Sequence, residues 1–154
     1  GEDEAFHRGE PLLQQMGQSV TRLGPAGSGQ RCKLSNQIAV AIGMVAWCEA
    51  LAVAKASNLD PSAVQDVIRG GAAGSWGLTN LAPRALNEDF KPGFLVRHLV
   101  KDIRLAQEEA DLHGLRLPGL EVAQKVYELV EKLGYGEAGT QVLFHHYETN
   151  RGVG

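Results

Sequence analysis

Ile38-Ala-Val-Ala-Ile-Gly-Met-Val-Ala-Trp-Cys-Glu-Ala-Leu-Ala-Val-Ala54 would be apolar all the way round a helix except at Glu49. No proline interrupts residues 29–57, and the run is too long for a strand, so it reads as one long central helix. A bilayer crossing takes about 20 such residues. This run is somewhat shorter and carries a carboxylate, which favours a protein interior over a membrane. A helix without a polar face must be covered on all sides. A single small helical domain covers it poorly, so a partner subunit, in a homodimer or higher homo-oligomer, or a further domain is expected to complete the cover.

Downstream, Asp60-Pro61 is an N-cap followed by proline at the first helical position, and Gly70 closes a helix that Val64, Val67 and Ile68 anchor. Ser75 or Thr79 is placed to cap a short helix through Leu86, with Pro83 as a kink point. Leu95, Leu99, Ile103, Ala106 and Ala110 recur at helical spacing within residues 94–112, before Gly114. Residues 118–133, with Val122, Val126, Leu129, Val130 and Leu133, and residues 140–147 complete an α-rich domain without repeats. The last few residues, 151–154, read as a disordered tail.

Upstream, residues 3–15 read as a helix with Gly17 as its C-cap, and Pro11 qualifies its continuity. Ser19-Val20-Thr21-Arg22-Leu23 alternates and is β-branched, so a strand is expected there, before the loop from Gly24 to Gly29. A helix, a strand and then helices alone suggest the last αβ unit of an α/β domain over residues 1–24, leading into an all-α domain over residues 25–150.

Composition sets the outer limits. A chain of 154 residues with 44% hydrophobic and 21% charged residues has the make-up of one soluble globular domain. Its net charge of -3 points away from nucleic acid as a partner. Cys32 and Cys48 on one helix stand about 24 Å apart at 1.5 Å per residue, beyond disulfide reach, which suits a reducing cytoplasm. The N-terminal Gly1-Glu2-Asp3-Glu4 lacks an initiating Met and the layout of a signal peptide, so the chain is expected to begin mid-protein.

The loop Gly24-Pro25-Ala26-Gly27-Ser28-Gly29-Gln30 runs into the long helix, where Lys33, Asn36 and Gln37 share a face at i, i+3 and i+4. A lysine near the positive end of a helix dipole, partly desolvated beneath a cofactor, should have a lowered pKa. It could then exchange a proton with a hydroxyl or carbonyl oxygen. A solvated lysine on a polar face fits the same spacing, and spacing alone does not choose.

Gly24-Pro-Ala-Gly-Ser-Gly-Gln-Arg-Cys-Lys33-Leu-Ser-Asn36-Gln37 closely resembles the catalytic segment of the β-hydroxyacid dehydrogenases, the family of 3-hydroxyisobutyrate dehydrogenase and tartronate semialdehyde reductase. Phe90-Lys-Pro-Gly-Phe94-Leu-Val-Arg-His-Leu-Val-Lys101-Asp102 is similar to the family's Lys-Asp motif at its usual distance downstream, with Arg69-Gly70-Gly71 also similar between the two. The resemblance implies a mainly α fold: a helical domain like the C-terminal domain of 6-phosphogluconate dehydrogenase, preceded by a remnant of a Rossmann domain. It implies Lys33 as general acid/base, Asn36, Gln37 and Phe94 towards substrate, and Lys101 and Asp102 bordering a nicotinamide. The cofactor would be NAD or NADP, and the substrate a short-chain 3-hydroxy acid or semialdehyde. Gln37 stands where many members have Asn, which bears on substrate more than on mechanism. Lys33 argues against the related imine reductases, which usually lack it.

The Gly-x-Gly-x-x-Gly fingerprint of a Rossmann domain is not in these residues, so the fragment alone is expected to be inactive. A non-catalytic helical dimerisation module, with the motif residues as relics, is the alternative. No metal site is expected: His145 and His146, next to Glu148, are adjacent helix residues that do not face one another, and no further ligand is spaced to help. Glu49 fits either a buried, paired carboxylate or one that reaches the domain edge.

Overall fold

The computed structural model describes residues 1–149, and the expected tail at 151–154 lies outside them. The chain is mainly helical. The helices are α1 (Asp3–Leu13), α2 (Ser28–Ala56), α3 (Pro61–Arg69), α4 (Trp76–Asn80), α5 (Ala82–Leu86), α6 (Val96–Leu112), α7 (Pro118–Val130) and α8 (Leu143–Thr149). A wide π-helical turn, Glu131–Tyr135, follows α7, and a 3-10 turn, Thr140–Val142, leads into α8. The chain forms two compact units, Gly1–Asn36 and a second beginning at Gln37, so the division falls inside α2.

In the first unit the expected strand is absent. The described residues contain no strand, and residues 19–23 are extended without a ladder. Alternation and β-branching favour extended backbone, but a strand also needs a neighbour to bond. Here Arg22 pairs with Asp3 at 3.0 Å and donates to the Gly1 carbonyl at 3.1 Å, while the N-terminal amine donates to the Gly24 carbonyl at 2.8 Å. Gly17 does not cap α1 either. The helix ends at Leu13 with Gln14 as C-cap, and i→i+3 bonds from Gln15 and Met16 tighten the chain into a turn.

In the second unit the boundary signals hold at α3 and α4. Asp60 Oδ1 accepts from the Ser62 N–H at 3.0 Å with Pro61 at the first position, and Ser75 Oγ accepts from the Leu78 N–H at 3.1 Å. Asp60→Ala is expected to cost about 0.5–2 kcal/mol. A fall in the urea midpoint at constant slope would record it, and an unmoved midpoint would show that the cap contributes nothing. The chain breaks at Leu81, ahead of Pro83, into α4 and α5.

The buried faces depart from expectation at two helices. In α3 Val67 is 78% exposed, and Gln65 is buried instead, its amide donating to the Leu78 carbonyl at 2.9 Å. In α7 the buried set is Leu120, Ala123, Tyr127 and Val130, whereas Val122 and Leu129, and Leu133 in the turn beyond it, are exposed. The Tyr127 hydroxyl donates to the Thr140 carbonyl at 3.1 Å, and burial pushes this phenol well above its usual range. Helix α6 packs on α7 and buries Leu99, Ile103, Ala106 and Ala110 as expected, starting two residues late because Leu95 bridges to Gly139.

Helix α2 is covered along one side only. Ala41, Met44, Val45, Trp47, Cys48 and Leu51 are buried, while Val40, Ile42 and Val53 are exposed. Burial raises the Cys48 thiol well above its ordinary pKa, so it behaves as an apolar core residue. Gly77 of α4 allows the close approach of α2: a Cβ there would stand 3.2 Å from Trp47 Nε1 and 3.3 Å from Met44 Sδ. Glu49 reaches the surface, where its carboxylate accepts from the Tyr147 hydroxyl at 3.0 Å.

Candidate active site

Helices α2 and α6 carry the two motif blocks. In the second unit their residues meet through Asp102. This carboxylate is 1% exposed; its Oδ2 accepts from Gln37 Nε2 at 2.9 Å, and its Oδ1 pairs with Lys101 Nζ at 2.5 Å. A buried carboxylate is tolerable only when paired and hydrogen-bonded, and these two contacts supply both. Gln37, 8% exposed, is thus bonded to a residue 65 positions along the chain. Lys101 keeps 59% of its side chain open to solvent.

Lys33 and Asn36 are exposed residues of the first unit, on the opening turns of α2. Phe94 stands apart from Asp102's ligands, on the wall of an apolar cleft of about 370 Å³ with Val40, Met44, Trp47, Trp76 and Leu81. Sequence reasoning missed Trp76. It is 72% exposed just after the glycine-rich loop, and a large aromatic on a capped helix start beside flexible backbone was the available signal. That loop is tight as well as flexible, because a Cβ on Gly74 would stand 2.5 Å from the Arg69 carbonyl oxygen.

His145, His146 and Glu148 engage separate neighbours. His145 packs on Phe90 and Tyr135, His146 on Tyr147, and Glu148 pairs with Lys55. Phe94 packs near His98, with ring centroids 6.0 Å apart, and the loop before it carries the Arg84–Asp89 pair. The Arg84 hydrogen bond at 2.9 Å, helped by the Lys91 N–H, holds the Asp89 carboxyl below its ordinary range.

Comparison with known proteins gives the family of the chain. The family model described as NAD-binding of NADP-dependent 3-hydroxyisobutyrate dehydrogenase matches residues 27–147, which enclose Lys33, Gln37, Phe94 and Asp102. An uncharacterized oxidoreductase of Bacillus subtilis, YkwC, is 47% identical over 144 residues, 94% of this chain and 50% of the relative. The 2-hydroxy-3-oxopropionate reductase of Escherichia coli is 35% identical over 127 residues, 82% of this chain and 44% of that protein. The crystal structure of a 3-hydroxyisobutyrate dehydrogenase from Salmonella typhimurium superposes with a TM-score of 0.89 at 25% identity, covering 95% of this chain and 52% of the other. The chain spans about half the length of these relatives. With the second motif block and residues 27–37 of the first inside the matched span, the chain belongs to the NAD-binding family of NADP-dependent 3-hydroxyisobutyrate dehydrogenases.

Proposed function

We propose that this chain is the helical, C-terminal part of an NAD(P)-dependent dehydrogenase acting on a short-chain 3-hydroxy acid or semialdehyde, with Lys33 as the general acid/base. The observation that carries this reading is the bond from Gln37 to Asp102, which joins the two motif blocks in one buried polar link. Buried polar groups that satisfy one another define a single arrangement of the elements that hold them.

In this reading Lys33 takes the hydroxyl proton at C3 during oxidation and returns it during reduction. The nicotinamide, when bound, supplies or accepts the hydride. Asn36 and Gln37 orient the substrate, Phe94 closes the apolar side of its pocket, and Lys101 and Asp102 border the nicotinamide. The residues present suit that neighbour: an ammonium anchored by a buried carboxylate yet open to solvent offers donors to amide or phosphate oxygens.

Residues 1–24 are assigned to the end of a Rossmann domain and residues 25–150 to a domain like the C-terminal one of 6-phosphogluconate dehydrogenase. The strand expected at 19–23 would form only within its sheet. The uncovered side of α2 supports a homo-oligomer, since exposed Ile42 and Val53 gain from burial. Two free cysteines suit a cytoplasmic protein.

The test is an assay of the intact protein with NAD or NADP and a panel of 3-hydroxy acids, following the absorbance of the reduced nicotinamide. Turnover dependent on cofactor is expected. A folded, cofactor-free oligomer without turnover on any of them would favour the association module instead.

A further inference from the structure

Phe94 lies at the end of a loop, residues 87–95, that has little regular structure of its own. Backbone bonds fasten one side of it: the Gly139 N–H donates to the Phe90 carbonyl at 2.9 Å, Thr140 to Phe94 at 3.1 Å, and Val96 to Ala138 at 3.0 Å. Two side chains fasten the other. Gln141, 1% exposed, donates its Nε2 to the carbonyls of Asp89 at 2.8 Å and Lys91 at 3.2 Å. Arg84 donates Nη2 to the Lys91 carbonyl at 2.7 Å and Nε to Asp89 Oδ2 at 2.9 Å.

Gln141 has a cradle built for it. A Cβ on Gly139 would collide with the Gln141 amide, so the missing side chain at 139 is what admits it. Neither Gln141 nor Arg84 lines the cleft, whereas Phe94 and Thr140 both do. The amide and the guanidinium therefore reach the Phe94 side of the cleft wall through the loop, and Gln141 also adjoins Thr140 in the chain.

We infer that Gln141 and Arg84 are positioning residues for the substrate pocket: by holding residues 89–91 they fix Phe94 on the cleft wall and so set substrate affinity. This rests on the reading of Phe94 as a substrate-pocket residue. It predicts an effect on KM rather than on kcat, because proton transfer at Lys33 does not use the loop.

The test uses the intact protein with Gln141→Met, which keeps the volume and removes the donor, and Arg84→Lys, which removes the fork. Amide hydrogen exchange at Lys91, Val96, Gly139 and Thr140 is expected to quicken about tenfold, the weight of one to two hydrogen bonds, with α7 unchanged. KM is expected to rise about five- to tenfold with kcat within about threefold, and the Gln141→Met increment should vanish in a Phe94→Ala background. Unchanged exchange overturns the latch. Faster exchange with unmoved KM, or an increment that persists without Phe94, overturns its role in affinity. If Gln141→Met does not fold, Arg84→Lys decides by the same measurements. A wild-type protein that turns over no 3-hydroxy acid refutes the dehydrogenase reading, and with it the effect on KM; exchange still decides the latch.

Discussion

Lys33→Ala in the intact protein is expected to lower kcat by about 10²–10⁴-fold, the range for loss of a positioned acid/base group. Its neighbours on the opening turns of α2, Arg31 and Cys32, stand two and one positions away and do not share its face of the helix, so neither is placed to stand in for it. KM should change much less than kcat, since the lost interaction is made chiefly as the proton moves. A small primary amine added to the alanine variant should restore part of the rate, because it returns the missing base without the tether. A fall of less than about tenfold would remove Lys33 from the chemistry.

The largest expected effect on stability is that of Phe144→Ala, a loss of about 3–5 kcal/mol. Phe144 is almost wholly buried near the start of α8, which packs against α5 and α7. The ring has no route to solvent and its neighbours are held by their own helices, so the space it leaves collapses only partly. Set against the 5–15 kcal/mol typical of a whole domain, roughly a fifth or more of the stability would go. Chemical denaturation reads this as a lower midpoint. A loss under about 1 kcal/mol would show that α8 is not part of the cooperative core.

Helix ends with local chemistry were legible in the sequence. Asp60-Pro61 and Ser75 announce their helices because a cap is made by residues two or three apart. The buried face of α6 was legible too, since Leu99, Ile103, Ala106 and Ala110 form its longest apolar stripe, with only Leu105 and Leu112 exposed on the other side. Helices α3 and α7 were not: the apolar face of α3, with Ala63, Val64, Val67 and Ile68, is left partly open while Gln65 is buried, and α7 carries apolar residues on more than one side, so which side is covered depends on neighbours that periodicity does not name.

The candidate site divides in the same way. The family resemblance of the two motif blocks is what picks out Lys33, Asn36, Gln37, Phe94, Lys101 and Asp102, since spacing alone allowed a solvated polar face. That Gln37 bonds Asp102 is a property of how α2 lies on α6, across 65 positions of chain. Gln141 was invisible for a related reason. A glutamine between two helices signals nothing until the carbonyls of Asp89 and Lys91 are beside it.

The contact of Gly77 with Trp47 and Met44 ties three positions together. Even alanine at 77 would place a methyl carbon 3.2 Å from the indole nitrogen and 3.3 Å from the Met44 sulfur, so both neighbours would have to give by a few tenths of an ångström. Positions 44, 47 and 77 are therefore coupled in packing, and a change of volume at any one of them is felt at the other two.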